Sequence, residues 1–167
     1  SEMKSGGTLT VGDIAVYLAP DADPVQGIDL TFVHAASGNL TTGNFTLEKG
    51  TLTLNGLPVT ITGSLRSWKT AAASVKTGDI DIRTFLDMIP GSLVPEKQNV
   101  SADGSFSLSV DSNVHMTEDV PEITYSGSLS LDMNNLAYEG FPKKIDSFIF
   151  NTAFTEKEIA INEGTLV

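Results

Sequence analysis

The chain has 167 residues, 40% apolar and 19% charged, a balance that excludes a disordered polymer and leaves room for one folded unit. Twenty-one acidic residues against ten basic ones give a formal net charge of −11, which repels phosphate polymers and excludes a charge-driven nucleic-acid binder. There is no cysteine, so disulfides, thiolate metal sites and cysteine nucleophiles are excluded.

No apolar run reaches the ~20 residues needed to cross a bilayer as a helix. No signal peptide opens the chain, and Gly164-Thr165-Leu166-Val167 stops as a strand pattern begins. The expectation is one β-rich unit over residues 1–167, cut from a larger protein.

In chain order, the first signal is Gly7-Thr8-Leu9-Thr10-Val11: glycine, then hydroxyl and apolar side chains in alternation. Period-two alternation predicts a strand with one apolar and one polar face, and threonine favours that geometry. The same signature returns at Gly50-Thr51-Leu52-Thr53-Leu54, Gly104-Ser105-Phe106-Ser107-Leu108 and Gly127-Ser128-Leu129-Ser130-Leu131, and the last two copies read as strand starts. Its irregular spacing excludes a short solenoid repeat.

Between these copies, Ile28, Leu30 and Phe32 alternate, as do Phe45 with Leu47, and Val59 with Ile61 and Leu65. Ile145 to Phe150 and Ile159 to Ile161 complete the predicted strands. Turn signals fall at Asp21-Ala22-Asp23-Pro24, Ala36-Ser37-Gly38-Asn39, Asn55-Gly56 and Asn134-Asn135. Asn-Gly is a strong hairpin signal, but Leu57-Pro58 follows it and predicts a loop longer than two residues.

One segment predicts a helix near 82–89. Asp81 is a good N-cap, Ile82, Phe85, Leu86 and Ile89 share one face, and Pro90-Gly91 stops it. Two turns are too short to persist alone, so the apolar stripe must pack on a sheet. The fold class expected is mainly β: an antiparallel, twisted sheet, either an open groove or a half-barrel, with one short helix.

Catalytic signatures are missing. His34 and His115 are far apart and outside any ligand spacing, so no metal site is expected, and His34 reads as a strand-end residue. Ser105 and Ser128 lack the second glycine of a nucleophile elbow, and no phosphate-binding loop with its lysine occurs. Asp79 with Asp81, and Glu118 with Asp119, read as solvated acids and not as a glycosidase pair. Trp68 has no second aromatic beside it in sequence and reads as ordinary packing. The chain is expected to be no enzyme and to need no cofactor.

Two stretches resemble the AsmA family of bacterial envelope proteins, AsmA/TamB-like. The first runs from Phe45 through Gly56-Leu57-Pro58 to Gly78-Asp79-Ile80-Asp81-Ile82 and Phe85-Leu86-Asp87-Met88-Ile89-Pro90. It is similar to the family's unit of strand, Gly-Leu-Pro, strand and short apolar helix ending in proline. The second runs from Gly127 to Leu166 and holds Tyr138-Glu139-Gly140-Phe141-Pro142 before paired strands. The resemblance covers most of residues 45–166; the first 44 share only the family's general texture. It implies a periplasmic location in a Gram-negative bacterium, a parent protein anchored in the inner membrane, and a part in outer-membrane biogenesis. It further implies phospholipid, or another acyl-chain lipid, as the partner of an apolar β-groove. The family brings no catalytic residues.

The candidate groove lining is Leu52, Leu54, Val59, Ile61, Phe106, Leu108, Val110, Leu129, Leu131, Met133, Phe148 and Phe150. A continuous apolar sheet face must be covered by a helix, by another sheet or by acyl chains. The competing arrangement is a closed core, as in a structural or adhesive β-sandwich of a bacterial surface protein. A lectin or carbohydrate-active enzyme would need aromatics or carboxylates clustered across a cleft.

Overall fold

The computed structural model describes residues 1–17, 24–89, 91, 94–117, 120–140 and 143–167. The turn signal at Asp21 to Asp23, the helix stop at Pro90, the acids Glu118 and Asp119, and the Phe141-Pro142 pair lie outside the described residues.

The described residues fold as one antiparallel sheet of ten strands that does not close on itself. The strands are β1 (Glu2–Val16), β2 (Val25–Asn39), β3 (Asn44–Leu54), β4 (Leu57–Arg66), β5 (Thr70–Lys76), β6 (Ile80–Asp81), β7 (Val100–His115), β8 (Glu122–Tyr138), β9 (Ile145–Thr155) and β10 (Ile159–Leu166). Each long strand pairs with its neighbour in sequence, in the order β1-β2-β3-β4-β5-β7-β8-β9-β10. The two-residue β6 continues the line of β5 alongside β7, and helix α1 (Ile82–Met88) follows it.

Alternation settles which side chains meet. Residues directly opposite in an antiparallel ladder share a face. Through the registers, Gly7, His34, Gly50, Ile61, Val75, Val110, Gly127, Phe154 and Ile159 form one row across nine strands. The adjacent row reads Thr8, Val33, Thr51, Thr60, Lys76, Ser109, Ser128, Ala153 and Ala160, on the opposite face. One face is therefore apolar and the other rich in hydroxyls. At ~4.8 Å per strand, eight gaps make a track about 38 Å long.

Several expectations need correction. The Asn55-Gly56 loop has only two residues: Leu54 pairs directly with Leu57, and Asn55 and Gly56 take φ of 49° and 88°. Both positive angles suit the tight turn favoured by right-twisted strands. Pro58 is tolerated because the pair it forms with Thr53 turns its nitrogens outward, and β5 reaches only as far as Thr60 on that side.

Gly104 and Gly127 do not start strands; like Gly7 and Gly50, they lie inside them. At Gly127 an added Cβ would lie 2.4 Å from the Phe154 ring and 2.5 Å from the Ser109 carbonyl. The glycine leaves room for the aromatic ring opposite. His34 is likewise mid-strand in β2, and Ala36 to Asn39 belong to β2 and not to a turn. Gly38 is used as Gly127 is, with the Phe45 ring 2.2 Å from where a Cβ would sit. Asn134-Asn135 sits inside β8, where a register shift against β7 and an Asn135 φ of 54° make a bulge.

Helix α1 starts as expected. The Asp81 carboxylate accepts from the Thr84 amide at 2.9 Å and its hydroxyl at 3.0 Å. These bonds, the amide first, hold the Asp81 carboxyl below its ordinary value of 3.8. The helix sits where β5 has ended, and its Phe85 ring stacks on Phe106 with centroids 4.9 Å apart. Ile80 and Ala102 of the sheet and Ile82 of the helix, all buried, mark where the sheet is best covered; Val25 is the other buried apolar residue among those described.

Candidate apolar groove

All twelve candidate lining residues fall on the apolar face, as the registers require. The sheet lines them up: Leu52 stands opposite Val59, Leu108 opposite Leu129, Phe106 opposite Leu131 and Leu131 opposite Phe150. Met133 stands opposite Phe148, and the Phe148 and Phe150 rings lie parallel with centroids 6.4 Å apart.

This face is not a closed core. No large side chain is fully buried among the described residues. The twelve are half-buried except Leu54, which is 38% exposed. On the last strand Ile159, Ile161 and Leu166 are 75%, 66% and 66% exposed. A sandwich would need a second sheet packed ~10 Å away, and the described residues form a single sheet.

Sequence reasoning missed the polar clasps that hold α1 over part of this face. The Asn55 side chain accepts from the Asp29 amide at 2.6 Å and donates to the Met88 carbonyl at 3.1 Å. One residue thus ties the β3–β4 hairpin to β2 and to the helix end. Lys97 donates to the carbonyls of Leu86 at 3.1 Å, Asp87 at 3.0 Å and Ile89. Those are the carbonyls a helix C-terminus leaves without partners, and a cation there also suits the helix dipole. Arg83 pairs with Asp103 of β7 at 2.7 Å.

Between α1 and the first strands lies an apolar cavity of about 430 Å³. Ile28, Leu30, Leu54, Leu57, Phe85 and Met88 are among its walls. A second apolar cavity, of about 460 Å³, lies where β8 and β9 approach β7. Beside it the Tyr138 hydroxyl donates to Glu96, a bond that raises the tyrosine above its ordinary value.

His34 is part of the apolar row. Its Nε2 lies 3.1 Å from the Ser5 hydroxyl, its ring stacks on Phe32, and its Nδ1 is buried without a partner. His115 lies on β7, near the Thr70 hydroxyl at 3.3 Å. The two histidines do not meet, and among the described residues no acids and histidines gather into a metal-holding group. Trp68 has an aromatic neighbour after all: Phe45, 5.3 Å away, with the Trp68 ring lying on Gly43. Among the described residues no helix is long and apolar enough to cross a membrane.

Comparison with known proteins assigns no family. No family model matches the chain, and neither a curated protein nor a solved structure matches it.

Proposed function

We propose that this chain is a non-catalytic segment of an AsmA-like envelope protein, carrying the acyl chains of phospholipid along an apolar β-groove. The observation that carries the reading is the open apolar face: one side-chain row crosses nine strands, and among the described residues α1 alone covers part of that face. Leaving such a face to water is costly, at roughly 25 cal/mol per Å², and acyl chains would cover it without requiring a fixed shape. On this reading the protein works in the periplasm of a Gram-negative bacterium, within an inner-membrane-anchored parent, and serves outer-membrane biogenesis.

The test is extraction of the purified protein followed by mass spectrometry, together with titration of an acyl-chain fluorophore. Co-purified phospholipid and saturable probe binding are expected. Leu131→Asp with Phe150→Asp should abolish both while the strand signal in circular dichroism persists. A lipid-free protein that leaves the probe unbound would overturn the reading.

A further inference from the structure

Basic residues are scattered along the chain except at Lys143-Lys144, the one adjacent pair in the sequence. The pair directly precedes β9, beside the cavity of about 460 Å³ lined by Val100, Leu136, Tyr138, Lys143 and Ile145. Leu136 stands opposite Ile145, and Val100 opposite Tyr138, so the walls are set by ladder pairs and not by a loose loop. The cavity lies three residues along the same two strands from the Met133–Phe148 pair, with the bulge at Asn135 interrupting the alternation between them; on β7 its wall residue Val100 stands an even six residues from Phe106 of the apolar face.

Both lysines are exposed, and among the described residues neither enters an ion pair. Glu96 is engaged by the hydroxyl of the wall residue Tyr138; Glu139 and Asp146 are exposed close by in sequence. An apolar cavity whose one charged wall residue is a cation suits an amphiphile with an anionic head. We infer that this cavity seats the start of an acyl chain while Lys143 and Lys144 hold the phosphate of a phospholipid. The inference rests on the groove reading and adds to it the place where a head group is recognised. The net charge of −11 does not oppose it at contact range, because remote acids are screened beyond ~8 Å at physiological salt. Lysine is a point-charge phosphate binder, and charge-assisted contacts to it are among the stronger hydrogen bonds.

The test is calorimetric titration of the whole chain with dodecyl phosphate and with dodecyl maltoside, each below its micelle concentration. Dodecyl phosphate should bind the native chain, weaken as salt rises, and lose about tenfold or more in affinity in the K143Q/K144Q variant. Dodecyl maltoside should bind both chains alike. Equal dodecyl phosphate affinity in native and variant overturns the head-group site, and if Phe150→Asp still removes that binding the groove itself survives. Competition by inorganic phosphate at equal concentration marks a free-phosphate site and also overturns the inference. Binding of neither amphiphile to the native chain overturns both readings.

Discussion

Two regions of the apolar face are built differently. Where α1 meets the sheet, Ile82 of the helix and Ile80 and Ala102 of the sheet are buried, and the helix is fastened by Asp81, Asn55 and Lys97. Over β8, β9 and β10 the same face carries Leu131, Phe148 and Phe150, half-buried, and Ile161, 66% exposed, with no helix or second sheet packed on them among the described residues. Residues of one character on one sheet thus do two jobs. Near α1 they are buried, and over the last strands they stay partly exposed.

Substitutions sharpen that contrast. The largest effect should come from Ile82→Ala, which empties a site 3% exposed and should cost about 2–5 kcal/mol in urea unfolding. A loss below ~1 kcal/mol would mean that the helix contributes little to the fold. Asn55→Gly should follow, at about 1–2 kcal/mol, because it keeps the positive φ while removing the bonds to Asp29 and Met88. Its readout is faster hydrogen exchange in α1 than in β8 and β9. Phe150→Ala, on the uncovered end, should cost only ~1 kcal/mol of stability yet markedly weaken the acyl-chain probe. If it destabilises as much as Ile82→Ala, the far end is structural too and the contrast fails.

The smallest effect concerns pH. The folded-state Asp81 carboxyl lies below its ordinary 3.8, so its contribution is complete above that value and is lost as pH falls through the lower folded value. The stability difference between native and Asp81→Asn chains should therefore be constant near neutrality and shrink in the acid range below 3.8. A difference that persists unchanged into that range would show that the charge of the cap is irrelevant.

The alternation of Thr8 to Val11 or Leu129 to Leu131 was enough to read strands and their apolar face, because period two leaves no other regular structure for it. The helix was equally legible, since Asp81 and the spacing of Ile82, Phe85, Leu86 and Ile89 encode cap and stripe locally. Glycine and asparagine misled, because each has two physical uses. Gly38 and Gly127 make room for Phe45 and Phe154 on the next strand, a pairing invisible until register is known. Asn134-Asn135 has turn chemistry but serves as a bulge within a continuous strand. The groove residues were legible as a face but not as an open one, since openness depends on what the rest of the chain leaves uncovered. The Asn55 clasp and the Lys97 cap were not legible, because each joins segments that only the folded sheet brings together.

The strand order has a consequence for how such a molecule can be assembled. Nearly every ladder joins consecutive segments, so each new hairpin adds to a template already present and closes only a short loop. β1 and β10 remain as rims of unmatched amide and carbonyl groups, and one more strand on either rim would lengthen the greasy track by ~4.8 Å. Span is then an additive property of this architecture: reach across a gap scales with the number of hairpins, while the chemistry of each step stays the same.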